Sequence, residues 1–483
     1  VRFTYLIATS FLLTNLLTGA SIAQAQKVKS APFSYLPEQA EDRYNQRVTR
    51  KMLPLENGGF IILAHKSATE YAVERYDTDL KQLWTAAVPV ATGESIEAFS
   101  HSPEQAWVVI HHKDDTSQNL TVLPVDLRNG QKGTPKKLID ASIRDRRPSI
   151  AISPDGTKLV AYRYLTREVQ IKAISATVYD QKLAKLKDRT YDFHDLGDFF
   201  SPTVYVGNDG TQYATLISDH MQKLTVRRYQ NDNPDIKVMA VAVGGTFGGK
   251  AVTVFDSRYT LQPDNMLYAA AICNERESGQ YYSLKVVKFD FTAKGDMKYA
   301  PEFRFTPEYL AEVNKATQGS AKRLEDVYLS DLLFTDEQQL VVVAEKKYEE
   351  GGDESPVHAR ELHLFGYNEF QSPSWHRIIA KDQVAPPAES FTGIGYRAAV
   401  FGPELQILTQ EKLAGKSDLY VRRVDARTGV VQPTKGLGLT VAADQNLAYV
   451  KDFTGWLDAK TIIGVSRPSK KSAALMLNKI VVK

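Results

Sequence analysis

Tyr71-Ala-Val-Glu-Arg-Tyr-Asp77 is one of eight copies of a seven-residue pattern that runs the length of the chain. Further copies are Leu120–Asp126, Ile174–Asp180, Leu224–Gln230, Leu284–Asp290, Leu362–Asn368 and Leu419–Asp425, with a worn eighth at Leu475–Val481. Alternating β-branched and aromatic residues mark each copy as a half-exposed strand. Most copies close on Asp or Asn, whose side chain can bond the backbone two residues on and so start a turn. A denser apolar run precedes each copy: Phe60–Ala64, Ala106–Ile110, Leu159–Tyr162, Gln212–Ile217, Met266–Ile272, Leu340–Ala344, Leu405–Leu408 and Thr461–Val465. Continuous apolar runs suit strands covered on both faces. Self-similarity at a spacing of roughly 50 residues belongs to propeller blades of four strands each. The expected fold is therefore all-β, a β-propeller of eight four-stranded units, or seven if the first or last is irregular. It forms a single domain over residues 26–483.

The turns agree. Ser153-Pro-Asp-Gly-Thr157 and Gly207-Asn-Asp-Gly-Thr211 stand just before dense runs and offer Gly for positive φ. Ile152-Ser-Pro-Asp-Gly-Thr-Lys-Leu-Val160 resembles the WD40-like repeats of TolB-type and dipeptidyl-peptidase-type propellers, which implies the same fold class. Leu83-Trp84 and Ser374-Trp375, just after a turn, are similar to the docking Trp that begins outer strands of quinoprotein-type propellers. The paired cysteines of quinoprotein alcohol dehydrogenases are impossible here, because Cys273 is the single cysteine, and no quinone or other cofactor is expected.

Two segments depart from the repeat. Pro307–Asp326 carries Leu310, Val313 and Ala316 at helical spacing after a Thr-Pro-Glu start, and reads as a helical insertion (307–326) on the rim or a face. Glu349–Ala359 reads as a polar loop.

Arg2, the apolar run Leu6–Leu17 and Ala23-Gln24-Ala25 form a secretory signal peptide (1–25), cut after Ala25. The protein is thus expected to be exported, periplasmic or secreted, with no membrane span. A net charge of +3 with no basic stripe interleaved with aromatics argues against nucleic acid. The basic runs Lys136–Arg147 and Lys182–Arg189 alternate with acids and read as solvated faces.

Motifs of chemistry fail on context. Gly244-Gly-Thr-Phe-Gly-Gly249-Lys250 lacks the Ser or Thr after lysine and the following helix that a phosphate loop needs, so it reads as a glycine-rich loop between blades. His111 and His112 are strand neighbours and point to opposite faces, so they cannot share a metal ion. His194, Asp195 and Asp198 form an acid–imidazole group with no nucleophile beside it. No G-x-S-x-G elbow occurs. No catalytic, cofactor or metal residue is assigned, and the binding residues stay open.

Two functions remain. The first is a non-catalytic binding or scaffold propeller of the cell envelope, monomeric, meeting a protein or glycan through one face. The second is a propeller enzyme acting on glycans or another extracytoplasmic substrate with active groups around the central channel. An enzyme should show ionisable groups of perturbed acidity at the channel mouth; a scaffold should show an apolar face. The last unit has no room for a fourth strand after Val481. The segment Ala31–Pro37 is expected to supply it by pairing with Leu475–Val481.

Overall fold

The computed structural model describes residues 27–38, 46–56, 58–167, 170–291, 297–299, 301–352, 354–439, 441, 448–468 and 474–482. The expected leader and its expected cleavage point lie outside them. The chain forms eight antiparallel sheets, the eight blades of a propeller. In blade one the order from the axis outward is Met52–Pro54, Phe60–Ser67, Glu70–Tyr76 and Gln82–Pro89. The dense apolar run is thus the second strand of a blade and the seven-residue pattern the third. Phe60–Ala64 is buried on both faces, whereas Gln82, Leu83 and Thr85 of the outer strand are exposed. The apolar core lies between blades: Ile61, Leu63 and Val73 of blade one pack against Phe99, Val108 and Leu123 of blade two.

The first strands meet around the axis. Met52–Pro54 touches Tyr449–Asp458 of blade eight, which touches Arg397–Phe401 of blade seven; Val327–Phe334 of blade six lies against Lys250–Leu261 of blade five.

The expected turn chemistry is present. Asp77 Oδ1 accepts from the N–H groups of Asp79 (2.8 Å) and Lys81 (2.9 Å), and Asn368 Oδ1 from those of Phe370 (3.0 Å) and Ser372 (2.9 Å). Both tryptophans dock. Trp84 Nε1 donates to Leu127 O of blade two at 3.2 Å, and Trp375 Nε1 to Ala426 O of blade seven at 2.9 Å. The ring lies on a glycine in each case; a Cβ on Gly130 or Gly429 would stand 2.7 or 2.5 Å from it.

Cations make the same link elsewhere. Lys136 donates to Leu183 O, Arg189 to Gln230 O at 2.8 Å and Arg228 to Phe291 O at 2.6 Å. The runs Lys136–Arg147 and Lys182–Arg189 are largely solvated as expected, with Lys137, Arg144, Arg146, Lys182, Lys185 and Lys187 exposed, but Lys136 and Arg189 turn to a neighbouring blade. Their third-blade and fourth-blade contacts are invisible in the local sequence, where acids alternate with them.

Closure of the ring follows the expected partners in a shifted register. The outer strand of blade eight is Lys27–Phe33, paired antiparallel with Leu475–Val481 from Lys27↔Val481 to Phe33↔Leu475. Only Ala31–Phe33 of the expected Ala31–Pro37 takes part, and the chain turns away at Ser34. The reason is composition: an outer strand has a wet side, and Lys27–Ser30 is exposed throughout. The apolar residues of Ala31–Pro37 are no guide to it, since Leu36 is itself exposed.

The insertion is a shorter helix than its span, α1, Pro307–Thr317. Thr306 caps it by accepting the Tyr309 N–H, and it ends at Gln318 with φ 54°. It lies on the rim against the outer strand Pro373–Ile379 of blade six. Its buried residues are Tyr309 and Val313, and Ala316 is exposed. The polar loop is also shorter than Glu349–Ala359. Glu349 and Val357–Ala359 belong to strands Leu340–Glu349 and Val357–Tyr367, an extended hairpin of blade six. Cys273 is buried and burial pushes its thiol up to about 12, so it is inert in the native fold.

Candidate functional site

The segment Gln46–Lys51 leads into blade one and crosses one end of the central channel. It is pinned at several points: Arg47 donates to Glu97 of blade two at 3.4 Å, Arg397 of blade seven donates to Thr49 O, and Lys51 N–H donates to Asp452 O of blade eight at 2.8 Å. Two chambers flank it. The larger, about 770 Å³, is lined by Arg50 on the crossing segment and by first-strand residues of blades one and five to eight. These include Asp256, Arg258, Tyr328, Asp331, Arg397, Asp452 and Trp456. The smaller, about 500 Å³, is lined by Tyr35, Glu38, Arg47, His65, Tyr71 and Arg147, among others.

A charge network runs beneath the mouth. Glu345 and Lys381 are both buried and 2.9 Å apart, and Lys347 stands 3.3 Å from the other Glu345 oxygen. Burial alone would make the Glu345 carboxyl a weaker acid. The charges of Lys381, Lys347 and Lys451 outweigh it and hold the carboxyl down to about 2. Lys451 donates to Phe391 O (2.9 Å) and Ile394 O (2.8 Å), fastening the loop that leads into blade seven. Burial and then Arg397 depress its ammonium to about 8. Asp452 accepts from Arg397 at 3.0 Å and lies 4.0 Å from Lys51. Lys51 also pairs with Glu38; Tyr35, Glu38 and Asp452 raise it despite the burial that opposes them.

On the chamber wall, Asp256 accepts the Leu329 N–H at 2.7 Å and Asp331 accepts the Tyr396 hydroxyl at 2.5 Å. Burial raises the Asp256 carboxyl against the pull of that N–H and of Arg258. All four wall carboxylates, Asp256, Asp331, Glu345 and Asp452, are thus held by a protein donor. Arg50 and Arg258 are exposed and make no hydrogen bond or ion pair among the described residues.

The motifs weighed in the sequence lie elsewhere. Gly245–Phe247 forms a short hairpin with Lys250–Val252, and Lys250 bonds both oxygens of Glu275 at 2.9 Å. His111 is buried against Gln118 (3.0 Å), and His112 pairs with Glu94. His194 bonds Asp192 on the surface, and the exposed Asp195 accepts from the buried Arg227 (2.6 Å). None of the motif residues lines either chamber, though Glu94, the partner of His112, lines the smaller one. Among the described residues no group of three or more His, Cys, Asp or Glu could hold a metal ion, and no helix is long and apolar enough to cross a membrane.

The chamber residues escaped sequence reasoning because each blade contributes only a few, far apart in the chain. One signal was legible. Asp256-Ser-Arg258 interrupts an innermost strand with charge where apolar residues would pack.

No family model matches the sequence, and no curated protein matches it. Several solved structures are similar in fold. One is the propeller of Dos1, 9% identical, covering 94% of this chain and 95% of that one, TM-score 0.45. A second is the polysaccharide lyase Uly1, 10% identical over 82% of this chain and 92% of that one, TM-score 0.42. A third is dipeptidyl peptidase 4 of Porphyromonas gingivalis, 9% identical over 90% and 68%, TM-score 0.40. These likenesses say nothing about ligand or activity.

Proposed function

We propose that this chain is an exported, non-catalytic binding propeller that takes a glycan segment in the larger chamber of its channel. One observation carries the reading. The chamber offers two exposed arginines, while each wall carboxylate is already occupied by a partner within the protein. A hollow of about 770 Å³ is of the size that encloses a small ligand rather than the flat surface of a protein. Export rests on the Arg2, Leu6–Leu17 and Ala23–Ala25 pattern. The N-terminal sequence of protein recovered outside the cytoplasm should begin near Gln26, and a retained Arg2 would refute the leader.

Binding has its own test. Thr49 is exposed on the crossing segment and lines the chamber, so Thr49→Trp should fill space there at little cost to the fold. Calorimetric titration with a panel of oligosaccharides should show binding by the wild type and at least tenfold weaker binding by this variant. Equal affinity for both would place the ligand outside the channel.

Burial of Asp256 on the chamber wall, which makes its carboxyl a weaker acid, favours one second reading: a glycan-acting enzyme in which this carboxyl moves a proton. Turnover of a panel glycan, lost in Asp256→Asn while binding persists, would replace the first reading by this one.

A further inference from the structure

We infer that the ligand of the larger chamber carries oxyanion groups (carboxylate, sulfate or phosphate) held by Arg50 and Arg258. This rests on the channel being the binding site. Arg258 stands on the first strand of blade five, and Arg50 on the segment entering blade one. In a ring of eight, blade five faces blade one across the axis, so the two guanidinium groups approach a shared ligand from opposite walls.

The other cations of the wall are committed. Arg397 serves Asp452, Lys347 serves Glu345, and Lys451 serves two backbone carbonyls. Asp256 adjoins Arg258 but spends its hydrogen bond on the Leu329 N–H. No hydrogen bond or ion pair joins the two among the described residues, so the N–H donors of Arg258 stay open to the chamber. An exposed fork of N–H donors without a partner matches the planar or tetrahedral oxygens of an oxyanion in two-bond geometry. A concave, low-dielectric wall focuses the field of such charges toward the axis.

The test titrates four probes against the full mature chain: oligogalacturonate, a sulfated heparin hexasaccharide, inorganic phosphate and the neutral maltohexaose. At least one anionic probe should bind, more weakly as salt rises, with maltohexaose at least tenfold weaker. Arg50→Gln and Arg258→Gln should each weaken that binding about tenfold with an unchanged unfolding midpoint. Arg128→Gln, on an outer turn, should leave it unchanged. The identity of the tightest probe tells a carboxylated or sulfated glycan from a free anion. Equal binding of maltohexaose, blocked by Thr49→Trp, would overturn the oxyanion and keep the channel. Anion binding untouched by both arginine variants would overturn the two residues. No binding by any probe would overturn this inference and leave the binding propeller itself without support.

Discussion

Deleting residues 26–38 should lower the midpoint of thermal unfolding by on the order of 5 °C and make the protein prone to aggregate. The deletion removes the whole outer strand of blade eight, seven residues in register with Leu475–Val481. Phe33 is buried, with its ring 5.1 Å from that of Phe453 and edge-on to it; Tyr35 meets the same ring at 4.9 Å. Burying Phe33 alone contributes about 1.5–3 kcal/mol. The segment also ties blade eight to blade one, through Leu36 N–H to His65 O (2.9 Å) and Lys66 Nζ to Ser34 O (2.8 Å). Together these make a loss of about 5 kcal/mol reasonable. A chain this long unfolds with an entropy of about 1 kcal/mol/K, which sets the scale of the shift. The uncovered Leu475–Val481 edge would present unpaired backbone groups to other chains. Phe33→Ala is the milder companion, expected to cost about 3–4 kcal/mol. Calorimetry and light scattering check both, and a truncated protein as stable as the parent would refute the closure.

Glu345→Gln should cost about 3–5 kcal/mol at neutral pH, because it leaves the Lys381 ammonium buried without its counter-charge. Replacing both partners, Glu345→Gln with Lys381→Met, should recover part of the loss, since the most deeply buried cation goes with its carboxylate while Lys347 still loses its partner. The parent protein carries a pH signature of the pair. Glu345 is held to about 2 in the fold against an ordinary 4.5, so the unfolded chain binds its proton first as acid is added. The stabilisation is complete above pH 4.5 and is lost as pH falls through 2. Its full size is about 3 kcal/mol at 1.36 kcal/mol per unit. Urea unfolding at pH 7, 4 and 2.5 should show a flatter profile for Glu345→Gln than for the parent. Parallel profiles would mean that the pair does not govern acid sensitivity there.

Much of the architecture was legible because a propeller repeats itself. The second and third strands of every blade carry period-two or continuous apolar patterns, and Asp77, Asp180, Asn368 and Asp425 announce their own turns through bonds of short range. Those are local effects, fixed by residues a few positions apart. Sequence also pointed to the need for a closing strand, and to Trp84 and Trp375 as docking residues.

Tertiary structure alone decided the rest. The register of Lys27–Phe33 was hidden because the wet side of an outer strand accepts almost any residue, leaving backbone pairing to choose the partner. The blade-to-blade roles of Lys136 and Arg189 were hidden because their acceptors are carbonyl groups, which have no signature in sequence. The chamber was hidden for a deeper reason. Arg50, Arg258, Glu345 and Asp452 come from four blades, and only ring closure brings charges separated by hundreds of residues within reach of one ligand.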